Sequence, residues 1–395
     1  MASWRASVGC WLLLLAGCAG VAPNPAAASV ADLPVVELSE ARSERLAGFE
    51  ARAVDAVVRR HYREARSLAR RALALDPRSA RARAVLGMVL LQDAARSEPV
   101  EWTGLRKGEF QIELARRLAP NDAFVGWIRA VFLAETGHMS AAAAAAEQAL
   151  VDTTGAPAAE RAALLGTAGT YRYELGEERA ALPHLEAYVA LRPDDASAQF
   201  RLGACLLALA AVPQGDPPQY EKAMIQAEGA AAAFARCFAL APGDEDAALA
   251  VATARLRAGE LAALSELPDS QSRRDAHRRA AREHLRALAE RFPDSPEVHF
   301  RIGVALADDP RLAAASYRAA LERDPMHVGS ALNLAALAIA GGEPDRAREI
   351  YAGLLARDAE VRRTGREQRA GDRLTRDERQ RIERWLAENQ TPRML

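Results

Sequence analysis

From about Glu40 onward, apolar residues recur every three to four positions in one segment after another, and few runs alternate with period two. The pattern predicts helices that continue almost to the C-terminus and no sheet. Glycine and proline punctuate these helices at a regular interval. The clearest unit runs from Ala162 to Asp195. Gly169 and Tyr171 lie in a first helix, Gly176 stands at a turn, Ala181 and Leu185 lie in a second helix, and Pro193 closes the unit, which spans 34 residues. Small residues are expected where paired helices touch, because the side chains between two axes set how closely they approach. Proline is expected where the second helix stops, because it cannot continue one.

The same marks recur along the chain. Ala65, Ala69, Ala72 and Pro77 close a first unit, and Leu86 with Gly87 opens a second that ends at Pro120. Trp127, Gly137, Ala142 and Ala149 belong to a third. Leu202 and Gly203 open the fifth, which ends with Phe234, Cys237 and Pro242. The sixth begins near Glu245, turns at Gly259, resumes near His277 and ends at Pro293. Ile302 and Gly303 mark the seventh, closed by Pro325. The eighth holds Leu334, Ala335, Gly342, Ala347, Tyr351 and Leu354, with Ala359 where a closing proline is usual. The second, fifth and sixth units carry extra residues, read as polar turns between first and second helices and expected to project from one edge. Beyond Ala359 the chain is highly charged from Arg362 to Arg381. Thr375 and Glu378 then form a capping-box signature, opening a helix with Ile382, Trp385 and Leu386 on one face. That helix is expected to cap the last repeat.

This succession resembles the tetratricopeptide repeat family. The resemblance implies an all-α, right-handed superhelical solenoid of about eight helix pairs over residues 41–359, followed by a charged linker and capping helix over 360–395. It also implies a concave face formed by the first helices, on which such proteins hold a peptide or a partner helix. Aligning the first helices by their small residues places Trp127, Tyr173, Phe200, Phe300 and Leu332 toward that face. The alternative is that these side chains fill the space between neighbouring helices, since a shift of one residue turns each by ~100°.

The first residues add an address. Arg5 precedes a short apolar run, and Leu15-Ala16-Gly17-Cys18 is similar to a bacterial lipobox. The resemblance implies a signal peptide over 1–17 and a diacylglyceryl group on the sulfur of Cys18. A further acyl chain on the new N-terminus would give anchoring well beyond the two signals needed for stable attachment. Ala19 after the cysteine points to the outer membrane. The stretch 18–40, rich in Ala, Pro and Val, reads as a tether of up to ~65 Å.

Composition adds mostly exclusions. A formal net charge of -1 gives no electrostatic ground for nucleic-acid binding. Arginine greatly outnumbers lysine, which occurs only as Lys107 and Lys222; this is read as a coding habit rather than chemistry. Cys205 and Cys237, in an oxidising compartment, either pair or sit as apolar core thiols. No phosphate loop, zinc-protease or nucleophile-elbow motif is present. His277 and His284 stand too far apart to share a metal. No cofactor, metal site or enzymatic activity is therefore expected. An arginine-rich stretch from Arg273 to Arg286 is a candidate for contact with phosphate on lipid or glycan, against a solvated helix face. The leading expectation is an outer-membrane-anchored adaptor for a protein partner in envelope assembly, secretion or surface-structure biogenesis. The alternative is a lipoprotein that captures a glycan or peptide for a transporter.

Overall fold

The computed structural model describes residues 29–97, 101–152, 155–213, 215, 218–364 and 374–389. Cys18, the signal and the first part of the tether lie outside these residues. The described residues hold seventeen helices and no strand. They are α1 (Glu40–Val58), α2 (Tyr62–Leu75), α3 (Ala80–Arg96), α4 (Trp102–Leu118), α5 (Ala123–Glu135), α6 (Met139–Asp152), α7 (Ala158–Glu174), α8 (Glu178–Leu191) and α9 (Ala196–Ala211). There follow α10 (Tyr220–Leu240), α11 (Glu245–Leu264), α12 (Ser270–Arg291), α13 (Pro296–Ala305), α14 (Pro310–Arg323), α15 (Val328–Ala340), α16 (Pro344–Thr364) and α17 (Arg376–Glu388). Eight helix pairs and one last helix result, in agreement with the punctuation of the sequence. The chain divides into two compact units, with the boundary between Cys205 and Leu206 inside α9.

Paired helices meet at small residues. A Cβ placed on Gly87 in α3 would lie 2.8 Å from the carbonyl oxygen of Gly108 in α4, and one on Gly169 in α7 would lie 2.8 Å from Leu185 in α8. Ala65, Ala69 and Ala72 of α2, Ala181 of α8 and Ala281 of α12 are fully buried. Turns follow the same economy: Gly137, Gly176 and Gly342 take positive φ between the helices of a pair, a region L residues avoid. Arg60 occupies the equivalent place after α1 with φ 62.

The joints between pairs follow a rule of position. At each closing proline the residue two places on caps the next first helix. Ser79, Asp122, Asp195, Asp244, Ser295 and His327 each accept a hydrogen bond from the backbone N–H three residues later, satisfying a donor that the helix leaves open. Three of these caps are also held from the preceding first helix. Ser79 Oγ donates to Glu50 at 2.6 Å, Ser295 Oγ donates to Glu245, and His327 Nε2 lies 3.0 Å from a Glu297 oxygen. The residue six places after the proline closes the same joint in three repeats: Arg83, Gln199 and His299 bond the carbonyl oxygens of Pro77, Pro193 and Pro293.

Two expectations are corrected. Gly259 is not a turn: it lies inside α11, buried, with the Arg274 carbonyl and His277 Cβ each 3.4 Å from where its own Cβ would be. The extra residues of the fifth and sixth units mostly lengthen helices rather than loops. Helices α10, α11 and α12 reach 21, 20 and 22 residues, and their added turns pack around Ala223, Met224, Ala258, Leu261 and Ala262. In the second unit, where extra residues were expected to form a polar turn, Gly104 is instead buried in α4 with Ala94 3.2 Å from its would-be Cβ.

Helix α17 caps the second unit. Its capping box is formed by Thr375 and Glu378, Ile382 is buried, and the Trp385 ring meets Tyr351 edge-on at 5.2 Å. The fully buried Asp358 of α16 accepts from the Leu374 backbone, from Arg362 and from Arg379. A buried carboxylate needs such partners to offset its lost hydration.

Close contact and helix propensity act in opposite directions on glycine, so two substitutions separate them. Gly87→Ala is expected to destabilise by roughly 1–3 kcal/mol, because the methyl group meets backbone. Gly48→Ala in α1, where nothing lies within 4 Å, is expected to stabilise by about 0.5–1 kcal/mol. Thermal melting of the two variants checks both signs.

Candidate functional site

First and second helices differ in what surrounds them. In the first unit α1 touches α3, α3 touches α5 and α5 touches α7, as does α11 with α13 in the second unit. Among the described residues no second helix makes an equivalent contact with the next second helix. From α1 to α7, and between α11 and α13, first helices therefore lie closer to one another than second helices do. The exposure pattern agrees: no residue of α5 or α13 is fully exposed, whereas α2, α8 and α14 each carry an exposed face. The side of the first helices that solvent reaches is a half-shaded stripe. In α5 it runs through Trp127, Val131 and Glu135, four residues apart and all half-buried, so they share a face.

The five sequence-predicted groove residues are all half-buried. Trp127 donates its indole N–H to Thr167 Oγ1 of α7 at 3.1 Å, and its ring lies 5.8 Å from that of Phe124. It bridges two first helices while keeping one edge open. Phe300 of α13 faces α15: its ring lies 3.0 Å from the would-be Cβ of Gly329 and 5.0 Å from the centroid of His327, with the Arg301 guanidinium 5.4 Å away. Leu332 packs in the cluster that includes Leu354, Leu374 and Ile382 beneath the capping helix. Trp127, Tyr173 and Phe200 belong to the first unit, Phe300 and Leu332 to the second, and Phe300 and Leu332 pack in separate clusters.

Polar groups at the start of the first-unit stripe are internally satisfied. Arg81 of α3 donates to Asp122 at 2.8 Å and to both oxygens of Glu160 at 2.8 and 3.1 Å, tying the starts of α3, α5 and α7 together. At the other end of the stripe burial pushes the Glu135 carboxyl up, although Arg60 pulls it down. Between these ends α5 presents Trp127 and Val131.

The chemistry of the remaining titratable groups is structural. Cys205 and Cys237 are both buried and neither is in a disulfide, which favours core packing over pairing. Burial, with Glu178 and Glu186 nearby, pushes the Cys205 thiol up to about 12, so it is a poor nucleophile near neutrality. His184, His277 and His327 each face a carboxylate, Glu147, Glu228 and Glu297. Among the described residues no three His, Cys, Asp or Glu side chains converge as a metal site would require. The cap-and-carbonyl rule at the joints escaped the sequence reading. Its signal was present: a capping residue two places after each closing proline.

Helix pairs over nearly half of the chain match the tetratricopeptide repeat. The tetratricopeptide repeat family model matches residues 50–95, 167–216, 273–315 and 307–361. No curated protein matches the sequence. Solved structures similar to this chain include PilF of Pseudomonas aeruginosa, at 18% identity over 66% of this chain and 97% of that one, with a TM-score of 0.40. Human IFIT1 with m7Gppp-AAAA is similar at 17% identity over 75% of this chain and 68% of that one, TM-score 0.36. A thermophilic tetratricopeptide protein of Thermus thermophilus is similar at 20% identity over 55% and 99%, TM-score 0.32.

His284 gives this packing a pH signature. Its Nε2 lies 2.8 Å from the Ala248 carbonyl oxygen, and burial lowers its pKa, against the hydrogen bond and with help from Arg255. A histidine depressed in the folded state binds fewer protons there than when unfolded. Its contribution to stability is therefore complete above the unfolded pKa of ~6.5 and is lost as pH falls through and below it. The melting temperature is expected to drop on going from neutral pH to about one unit below ~6.5, and His284→Gln is expected to flatten that part of the drop. An unchanged pH slope in the variant would show that His284 is not its source.

Proposed function

We propose that this protein is an outer-membrane lipoprotein, held through Cys18 and facing the periplasm, whose first-helix stripe binds an apolar or amphipathic segment of a partner in envelope assembly, secretion or surface-structure biogenesis. The coarse part of this reading follows from the repeats themselves: tetratricopeptide stacks are protein-binding scaffolds, and no catalytic family is indicated. The observation that carries the finer part is the half-buried face of Trp127, Val131 and Glu135 along α5, with Tyr173 and Phe200 half-buried on the two first helices that follow. A groove whose charged groups at the start are already paired offers side-chain burial, at ~25 cal/mol per Å² before ordering costs. It offers little that would clamp a terminal carboxylate. The lipobox-like Leu15–Cys18 supports the anchor.

Two experiments test the two halves. For the anchor, Cys18→Ser is expected to yield an unprocessed or soluble chain, because only the thiol accepts the diacylglyceryl group. A cleaved, lipid-labelled variant in the membrane fraction would defeat that half. For the groove, crosslinking in intact envelopes is expected to trap a reproducible protein partner. Phe200→Ala is expected to weaken that partner by more than ~1 kcal/mol with little change in melting. A cost of ~3 to 5 kcal/mol in stability with affinity intact in the folded fraction would place Phe200 in the core instead. No trapped protein, together with saturable binding of a glycan or free peptide, would favour ligand capture.

A further inference from the structure

Helix α12 carries a ladder of arginines that the packing uses only in part. Arg274, Arg278, Arg282 and Arg286 stand four residues apart, and Arg279 lies beside them. Residues four apart on a helix are neighbours, and like charges so placed repel. The protein as a whole has a formal net charge of -1, so this concentration is local.

A cleft of about 330 Å³ opens along this face, lined by Arg278, Arg279, Arg282, Arg286, Asp275, Glu283 and, from the α13–α14 turn, Asp308. The partners within it are unevenly shared. Asp308 takes two of the arginines: its Oδ1 accepts from Arg282 at 2.5 Å, and its Oδ2 lies 3.4 Å from Arg278. Arg282 also donates through Nε to the Ala305 carbonyl at 2.9 Å. Asp275 is engaged by Gln271 at 3.3 Å. Arg279 and Arg286, both exposed, have no ion-pair partner among the described residues. A small apolar hollow of Leu285, Ile302, Ala305 and Leu306 adjoins Arg282 and Arg286, which limits solvent on that side and strengthens any charge pairing made there.

We propose that this cleft is a binding site for a phosphate group, in which Arg278, Arg279, Arg282 and Arg286 donate to the phosphate oxygens and Asp308 is the internal counter-ion that the ligand displaces. A carboxylate is the weaker fit. Asp308 already supplies one, and it reaches two of the four guanidiniums; a tetrahedral dianion has oxygens enough for all four, and the planar fork of arginine matches phosphate geometry. The volume is at the lower end of small-molecule sites, which leaves room for a sugar or glycerol attached to the phosphate. Free phosphate esters and lipid headgroups share this chemistry.

The test uses the full chain carrying Cys18→Ser, so that an anchor cannot hold it to vesicles. Calorimetry with glycerol 3-phosphate and with inorganic phosphate, at neutral pH and low salt, is expected to show saturable binding at one site. The double variant Arg279→Gln/Arg286→Gln is expected to weaken it at least about tenfold with unchanged melting, and Asp308→Asn to strengthen it. In parallel, sedimentation with phosphatidylcholine vesicles, with and without phosphatidic acid, separates the sources. Binding to phosphatidic acid that needs Arg279 and Arg286, with none of the free ester, assigns the site to a lipid headgroup. Binding of the free ester assigns it to a soluble ligand. Absence of saturable binding to every phosphate probe, or binding that the double variant leaves unchanged, overturns the proposal.

Discussion

Close approach of helices through small side chains is the constraint on which this architecture depends. Much of the core is alanine buried to the last atom, as at Ala53, Ala82, Ala168, Ala252 and Ala335, and aromatics make up only 5% of the chain. An alanine removes little apolar area from water, so each contact stabilises weakly. What it gives instead is proximity: at Gly87 and Gly108 backbone meets backbone, and dispersion between closely packed atoms adds up over many such pairs. Stability is then spread thinly over neighbouring repeats, as expected of a stack in which each unit contacts only its neighbours.

Weak, non-directional packing would leave the angle between successive pairs poorly fixed, and the polar joints supply the missing direction. Each closing proline forces a break, and the capping residue two places later starts the next first helix at a set point. Glu50, Glu245 and Glu297 then tie three of those caps back to the preceding first helix. Because the joints pin the starts of the first helices, they also set the spacing of the stripe that those helices present. Trp127 lies at such a place, with Thr167 of the next first helix within hydrogen-bond reach.

How much was legible in the sequence follows from how many roles a residue type can fill. The closing prolines have one role, and the six pairs that they end were readable from them. Glycine has two. Gly137, Gly176 and Gly342 turn the chain with positive φ, whereas Gly259 serves a close contact inside α11, and no local pattern separates these uses. The insertions were misjudged for a related reason. Polar residues near Pro268 look like a loop, but α11 runs to Leu264 and α12 resumes at Ser270, because the apolar side of the added turns finds cover around Met224 and Leu261. The five residues expected to face a groove lie on first helices, α5, α7, α9, α13 and α15, but helical period alone could not show how much of each ring goes to the space among helices, where Trp127 meets Phe124 and Thr167 and Phe300 meets Gly329 and His327.

The arginine excess is the clearest case of structure supplying a meaning that composition withheld. Arg83, Arg323 and Arg357 donate to the carbonyls of Pro77, Pro293 and Pro325 at the joints. Arg257 reaches the last carbonyls of α9, Arg282 that of α13, and Arg348 that of Asn389 after α17. Helix ends leave carbonyls without intrahelical partners and carry partial negative charge. A guanidinium can bond such a carbonyl with one edge and a carboxylate with another, as Arg282 does with Asp308, whereas the ammonium of lysine is a single compact point. Arginine here is therefore a structural fastener between repeats, not only the residue a codon bias delivers. Against that background Arg279 and Arg286 stand apart, since they fasten no carbonyl and pair with no acid among the described residues, and their charge is left for something outside the fold.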